Sequence, residues 1–93
     1  MNIRFYIDPE TGEPHIYNHG ISEEEAEDVL LDPIEDQLSK GTSRSAIGQT
    51  QAGRYLRVIY VPDPYPDSVF VITAYEVRGK KLKAYRRRRR RRE

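Results

Sequence analysis

The sequence predicts an α+β fold in which one helical layer packs on an antiparallel sheet of three to four strands. Three observations lead to that expectation. One segment combines a helix-capping signal with apolar residues at helical spacing. Later runs are rich in β-branched and aromatic residues and are separated by turn formers. The chain between that helix and the last strand is too short for a parallel crossover. The expected order is β-α-β-β-β, in a single domain over residues 1–85, because 93 residues suffice for one small domain.

The elements follow in order. "IRFYI" (residues 3–7) alternates like a half-buried strand, with Ile3, Phe5 and Ile7 on one face. "DPETGEP" is dense in turn formers, so "HIYN" (residues 15–18) reads as a short returning strand of a hairpin. In "HGISEEEAEDVLLDP", Ser22 and Glu25 have capping-box spacing. Glu23, Glu24 and Glu25 fall in the first turn, where carboxylates oppose the helix dipole. Ala26, Val29 and Leu30 share one face, directed at Val58 and Val71, and Pro33 ends the helix.

Residues 34–43 read as a further helical turn through Ile34 and Leu38 or as loop. "SAIGQT" is a weakly patterned strand, "QAG" a turn, and "RYLRVIYV" a strong strand. "PDPYPDS" is a loop, and "VFVITAY", apolar on both faces, reads as a central strand. "RGKK" reads as a turn, after which residues 86–93 form an arginine-rich, disordered tail.

Charge is divided along the chain. Residues 1–85 hold nine Lys/Arg against fourteen Asp/Glu, a balance of −5, whereas residues 86–93 contribute +6. An acidic body with a basic end points to a polyanionic or acidic partner for that end. Residues 23–36 contain eight carboxylates and no basic residue, so they form either a solvated face or a receiver for the arginines. The absence of cysteine excludes disulfides and thiolate chemistry. No apolar run approaches the ~18 residues of a membrane helix. The opening has no signal-peptide layout, so the expected setting is cytoplasmic and not membrane-bound.

Three segments, "HGISEEEAEDVLLDP", "IGQTQAGRYLRVIYV" and "VFVITAYEVRGKKLKAY", occur in an order that resembles the BrnT-like toxins of the RelE/ParE-like superfamily of bacterial toxin-antitoxin systems. The resemblance covers roughly half the chain and implies a RelE-like β-α-β-β-β domain. It further implies a metal-independent mRNA endonuclease, neutralised by a small cognate antitoxin. Where those toxins commonly read serine-alanine-arginine in the late strand, this chain reads Thr73-Ala74-Tyr75.

Metal-free RNA cleavage needs a base for the 2′-hydroxyl, a cation on the phosphate and an acid for the leaving oxygen. Arg54 and Arg57 lie three apart in one strand and so point to opposite faces. Arg54, beside a turn, reads as a surface residue, and Arg57 stands between that role and a phosphate ligand. Tyr75, Glu76 and Arg78 at a strand end form a candidate acid/base/phosphate set, weighed against a core-edge tyrosine with a surface ion pair. His15 is a candidate general base, because imidazole titrates near neutral pH.

The pair His15 and His19 lacks a third metal ligand, so no metal site and no cofactor is expected. RNA binding is assigned to Tyr85, an aromatic beside arginines that suits base stacking as well as packing, and to Arg86, Arg87, Arg88, Arg89, Arg90, Arg91 and Arg92, by phosphate contact. Seven identical side chains carry no sequence information, so specific chemistry would come from the sheet. The leading reading is thus a toxin-like RNA endonuclease with an antitoxin partner. The alternative is a non-catalytic module that binds nucleic acid or an acidic partner on the same fold.

Overall fold

The computed structural model describes residues 1–92, with side chains to Arg89. Its strands are β1 (Asn2–Phe5), β2 (Glu35–Leu38), β3 (Arg44–Gln49), β4 (Tyr55–Pro62) and β5 (Ser68–Glu76). They form one sheet in the order β1-β5-β4-β3-β2. A 3-10 helix (His15–His19) and α1 (Glu23–Leu31) separate β1 from β2, and α2 (Gly79–Arg92) follows β5. The α+β class is therefore met, with a larger and differently covered sheet than expected.

The helix α1 forms where its local signals place it. The Ser22 hydroxyl accepts from the Glu25 amide, and the Glu25 carboxylate accepts from the Ser22 amide. These bonds satisfy N–H groups that a helix start leaves open. Ala26, Val29 and Leu30 are buried in one cluster with Leu56, Val58, Tyr60, Val71 and Ala74. Close approach depends on β3, where a Cβ on Gly48 would lie 3.3 Å from Val29 Cγ1. Ala46, also on this face, is fully buried.

The sheet departs from expectation at both edges. β1 pairs in parallel with β5, Ile3 opposite Val69 and Phe5 opposite Val71. The chain's first and last strands are thus parallel neighbours, so the sheet is mixed and not antiparallel, and the whole chain between them forms the crossover. Of the predicted hairpin, an isolated bridge between Ile7 and Pro14 remains, and Ile7 is exposed. Residues 15–18 are not a strand: Pro14 leads into the 3-10 helix, which buries Ile16 and is closed by Gly20 at φ 71°. The ambiguous residues after Pro33 resolve as β2, antiparallel to β3, with Glu35 opposite Ile47.

The two faces of the sheet are covered by different helices. Along β4, Leu56, Val58 and Tyr60 belong to the α1 cluster. Tyr55, by contrast, packs with Ile47, Val77 and Tyr85, joined by Ile34 and Leu82. Side chains alternate across a strand, so α2 sits on the face opposite α1. The expected single helical layer is replaced by a helix on each side.

The chain end differs most from expectation. Residues 79–92 are helical through the arginine run, where a turn and a disordered tail were expected. Gly79, at φ 61°, provides the reversal after β5. Lysine, leucine, alanine and arginine are good helix formers, and cations near a helix C-terminus are favoured by its dipole. Leu82 and Tyr85, one turn apart, anchor the helix, and Tyr85 has no exposed surface. Arg88 then donates through Nε and Nη2 to both oxygens of Glu35, each at 3.0 Å, and the Glu35 side chain is 5% exposed. Within residues 23–36, Glu35 is thus a carboxylate that receives an arginine. The side chains of Arg90, Arg91 and Arg92, and residue Glu93, lie outside the described residues.

Two substitutions test this packing by urea unfolding. Leu30→Ala should cost roughly 2–4 kcal/mol, because it leaves a cavity beneath α1. The Tyr85 hydroxyl is buried without a hydrogen-bond partner among the described residues. Tyr85→Phe should therefore leave stability unchanged or raise it by up to about 1 kcal/mol, whereas Tyr85→Ala should cost roughly 3–5 kcal/mol. A clear loss on Tyr85→Phe would mean that the hydroxyl is bonded.

Candidate nucleic-acid interface

Register across three strands builds the candidate site. Ile47 on β3, Arg57 on β4 and Tyr75 on β5 are consecutive cross-strand partners, so all three point to the α2 side. Ser45 lies diagonally next to Arg57 and accepts a hydrogen bond from its Nη1 at 2.5 Å. That contact uses one of the guanidinium's five N–H donors. Between residues 1 and 78, Arg4, Arg44, Arg54 and Arg78 each hold a carboxylate. Arg57 has no carboxylate partner among the described residues, so its charge remains available to an anion.

The helix α2 adds cations around this arginine. Lys81 Nζ lies 6.0 Å from the Tyr75 ring centroid, and the Arg86 guanidinium carbon lies 5.2 Å from that of Tyr55. Both are at cation–π range. Tyr55 in turn meets Tyr85 edge-on at 5.6 Å. Arg86 and Arg87 are exposed and Arg89 is half-buried. The charge division of the sequence thereby becomes a division between faces, with α2 on one side and the glutamates of α1 on the other. The face that carries Arg57 can hold phosphate groups and flat rings.

Other predicted residues do not join this site. Tyr75 and Glu76 are adjacent in one strand and point oppositely. Glu76 instead accepts from Arg54 at 3.1 Å and Arg78 at 2.9 Å, and Arg54 also holds Glu25 at 2.8 Å. Arg54 is thus the centre of a charged network that ties α1 to β5, and not a solvated surface residue. Arg78 is 77% exposed and engaged with Glu76, away from Arg57.

His15 sits on the 3-10 helix, next to Ile16 of the α1 cluster, and its ring meets Tyr6 edge-on at a centroid distance of 6.0 Å and not Arg57 or Tyr75. It faces Asp8 at 3.4 Å and His19 at a centroid distance of 5.3 Å. The Glu10 backbone N–H, then Asn18, hold the Asp8 carboxyl below its usual value. No group of three or more metal-capable side chains occurs among the described residues. Of the two roles open to Tyr85, stacking on bases and packing, the structure shows packing: it is an interior anchor, and burial pushes its phenol pKa up. Its role follows from spacing to Leu82 that was legible in the sequence. Ser45 and Lys81 were missed as site residues, because only the register and α2 bring them to Arg57 and Tyr75.

The Arg54 network has a pH signature. Burial raises the Glu25 carboxyl, but the Ser22 amide and Arg54 outweigh it and hold its pKa below 4.5. Arg78, then Arg54, lower that of Glu76 below 4.5 as well. Depressed carboxylate pKa values stabilise the fold above the unfolded value, and that contribution disappears as pH falls through the folded values. Stability should therefore drop on acidification below pH 4.5. Arg54→Met should be less stable at neutral pH and show a shallower acid-side decline in urea midpoint. An unchanged decline would remove the network as its source.

No helix among the described residues is long and apolar enough to cross a membrane. No curated protein and no solved structure matches the chain. A family model described as "Domain of unknown function (DUF4258)" matches residues 15–76, from the 3-10 helix to the end of β5, leaving β1 and α2 outside the matched span. The matched span is two thirds of the chain and contains Ser45, Arg57 and Tyr75: the chain belongs to the DUF4258 family.

Proposed function

We propose that this domain binds RNA on the α2 side of its sheet, with Arg57 as the fixed phosphate ligand. The observation that carries this reading is a guanidinium with no carboxylate partner, pinned by Ser45 beside Tyr75 and flanked by the cations of α2. Arg86 and Arg87 supply sequence-independent affinity, and the sheet supplies position. A cytoplasmic setting and a small protein partner that masks the basic face belong to this proposal, as does membership of the BrnT/RelE-like toxins suggested by the three sequence segments.

RNA cleavage is the second reading. The cross-strand pair Arg57 and Tyr75 favours it, since a phosphate-binding cation lies next to a hydroxyl that can donate a proton. Binding ranks first because Glu76 points to the other side of the sheet and His15 is engaged with Asp8 and His19.

Anisotropy of a labelled single-stranded RNA, titrated with salt, tests the proposal. Arg57→Ala should weaken binding about tenfold or more, the scale of a charged hydrogen bond. The double variant Arg86→Gln/Arg87→Gln should flatten the slope of log affinity against log salt by about 1.4. Unchanged affinity in Arg57→Ala would refute the assigned site. Cleavage by the wild type that falls about 10²-fold in Arg57→Ala would establish the enzyme reading, and Arg57-dependent binding without cleavage the binding module.

A further inference from the structure

The strand β1 is an edge of the sheet, bonded on one side to β5. The amide of Asn2 donates to Asp67 and that of Tyr6 to Val71, so these alternate residues face inward. By strand alternation, the N–H and C=O groups of Ile3 and Phe5 face outward, as an open template for another strand. The Ile3 and Phe5 side chains are half-buried against the α1 cluster. Together with Met1 and Asn2 they floor an open groove whose other wall is Glu23, Glu24 and Glu27 of α1.

Glu23 accepts a hydrogen bond from Tyr17. Glu24 and Glu27 are exposed and have no cationic partner among the described residues. The groove therefore offers three complementary features in one place: main-chain donors and acceptors, an apolar floor, and unneutralised carboxylates. The described cations of α2 lie on the opposite face, in a helix, and cannot pair as a strand with β1.

We infer that the β1 edge is a docking site for an extended segment of a partner protein that carries both apolar and basic side chains on one strand face. The segment adds a sixth strand to the sheet; the side chains on its α1 face, two residues apart, are an apolar one on Ile3 and Phe5 and Lys or Arg ones beside Glu24 and Glu27. This surface is separate from the RNA face, so one molecule can hold both partners.

The test uses the full chain and a labelled synthetic peptide that carries lysine and valine in turn at every second position, for one face, with threonine between them for the other. Binding should protect the Ile3 and Phe5 amides from hydrogen exchange and should weaken about fivefold in Glu24→Gln/Glu27→Gln, whose changes are confined to exposed side chains. RNA affinity should not change in that variant. A peptide with proline in place of valine keeps the charge but not the strand, and should not protect either amide. Equal binding of the proline peptide, unprotected amides, or full affinity in the double glutamine variant would overturn the inference. Self-association of the chain that the same variant abolishes would also overturn it, by making a second copy the occupant.

Discussion

Everything on the basic side of this molecule depends on how a run of arginines is held still. Like charges one turn apart repel, so residues 86–92 have little reason to remain helical alone. Among the described residues, α2 is held against the sheet by the Tyr85 ring, fully enclosed against Ile47 and Tyr55 with Leu82 beside them, and by the two-pronged bond from Arg88 to the buried Glu35. A buried carboxylate without its cation is costly, so Glu35 fixes the helix in register as well as in place. Arg86 over Tyr55 and Lys81 near Tyr75 then follow from helical geometry.

The same docking converts a division of charge along the chain into one across the sheet. The α1 side carries glutamates, closed over the larger core and joined to β5 through Arg54. The α2 side carries the cations and, between them, Arg57 on its Ser45 anchor. Small residues make the acidic layer fit: Gly48 lets α1 approach β3 closely, and a larger side chain there would meet Val29. Each face thus has its own packing solution, and one is basic while the other, at the β1 edge, is acidic.

What could be read from the sequence was the information carried by near neighbours. The capping box of α1, its apolar face, and the strong β-propensity of β4 and β5 are local, and each appears as expected. The parallel pairing of β1 with β5 joins residues far apart in sequence, and nothing in either strand names its partner. The expectation of a disordered tail at residues 86–93 weighs only the density of like charge. The competing signals, helix propensity and the spacing of Leu82 and Tyr85, prevail because a hydrophobic slot and Glu35 wait on the sheet.

Among site residues, Arg57 and Tyr75 come together through a register that only the folded sheet sets, whereas the separation of Tyr75 from Glu76 was already implicit in strand alternation. The central claim is that α2 is a docked element of the fold and not a loose tail, and amide hydrogen exchange along α2 tests it most directly. If Tyr85 and Glu35 hold the helix, the amides from Leu82 through Arg88 exchange far more slowly than in the isolated α2 peptide, and Glu35→Gln selectively speeds them while the β4 amides stay protected. Exchange of those amides at the rate of the free peptide, in the intact protein, would contradict it.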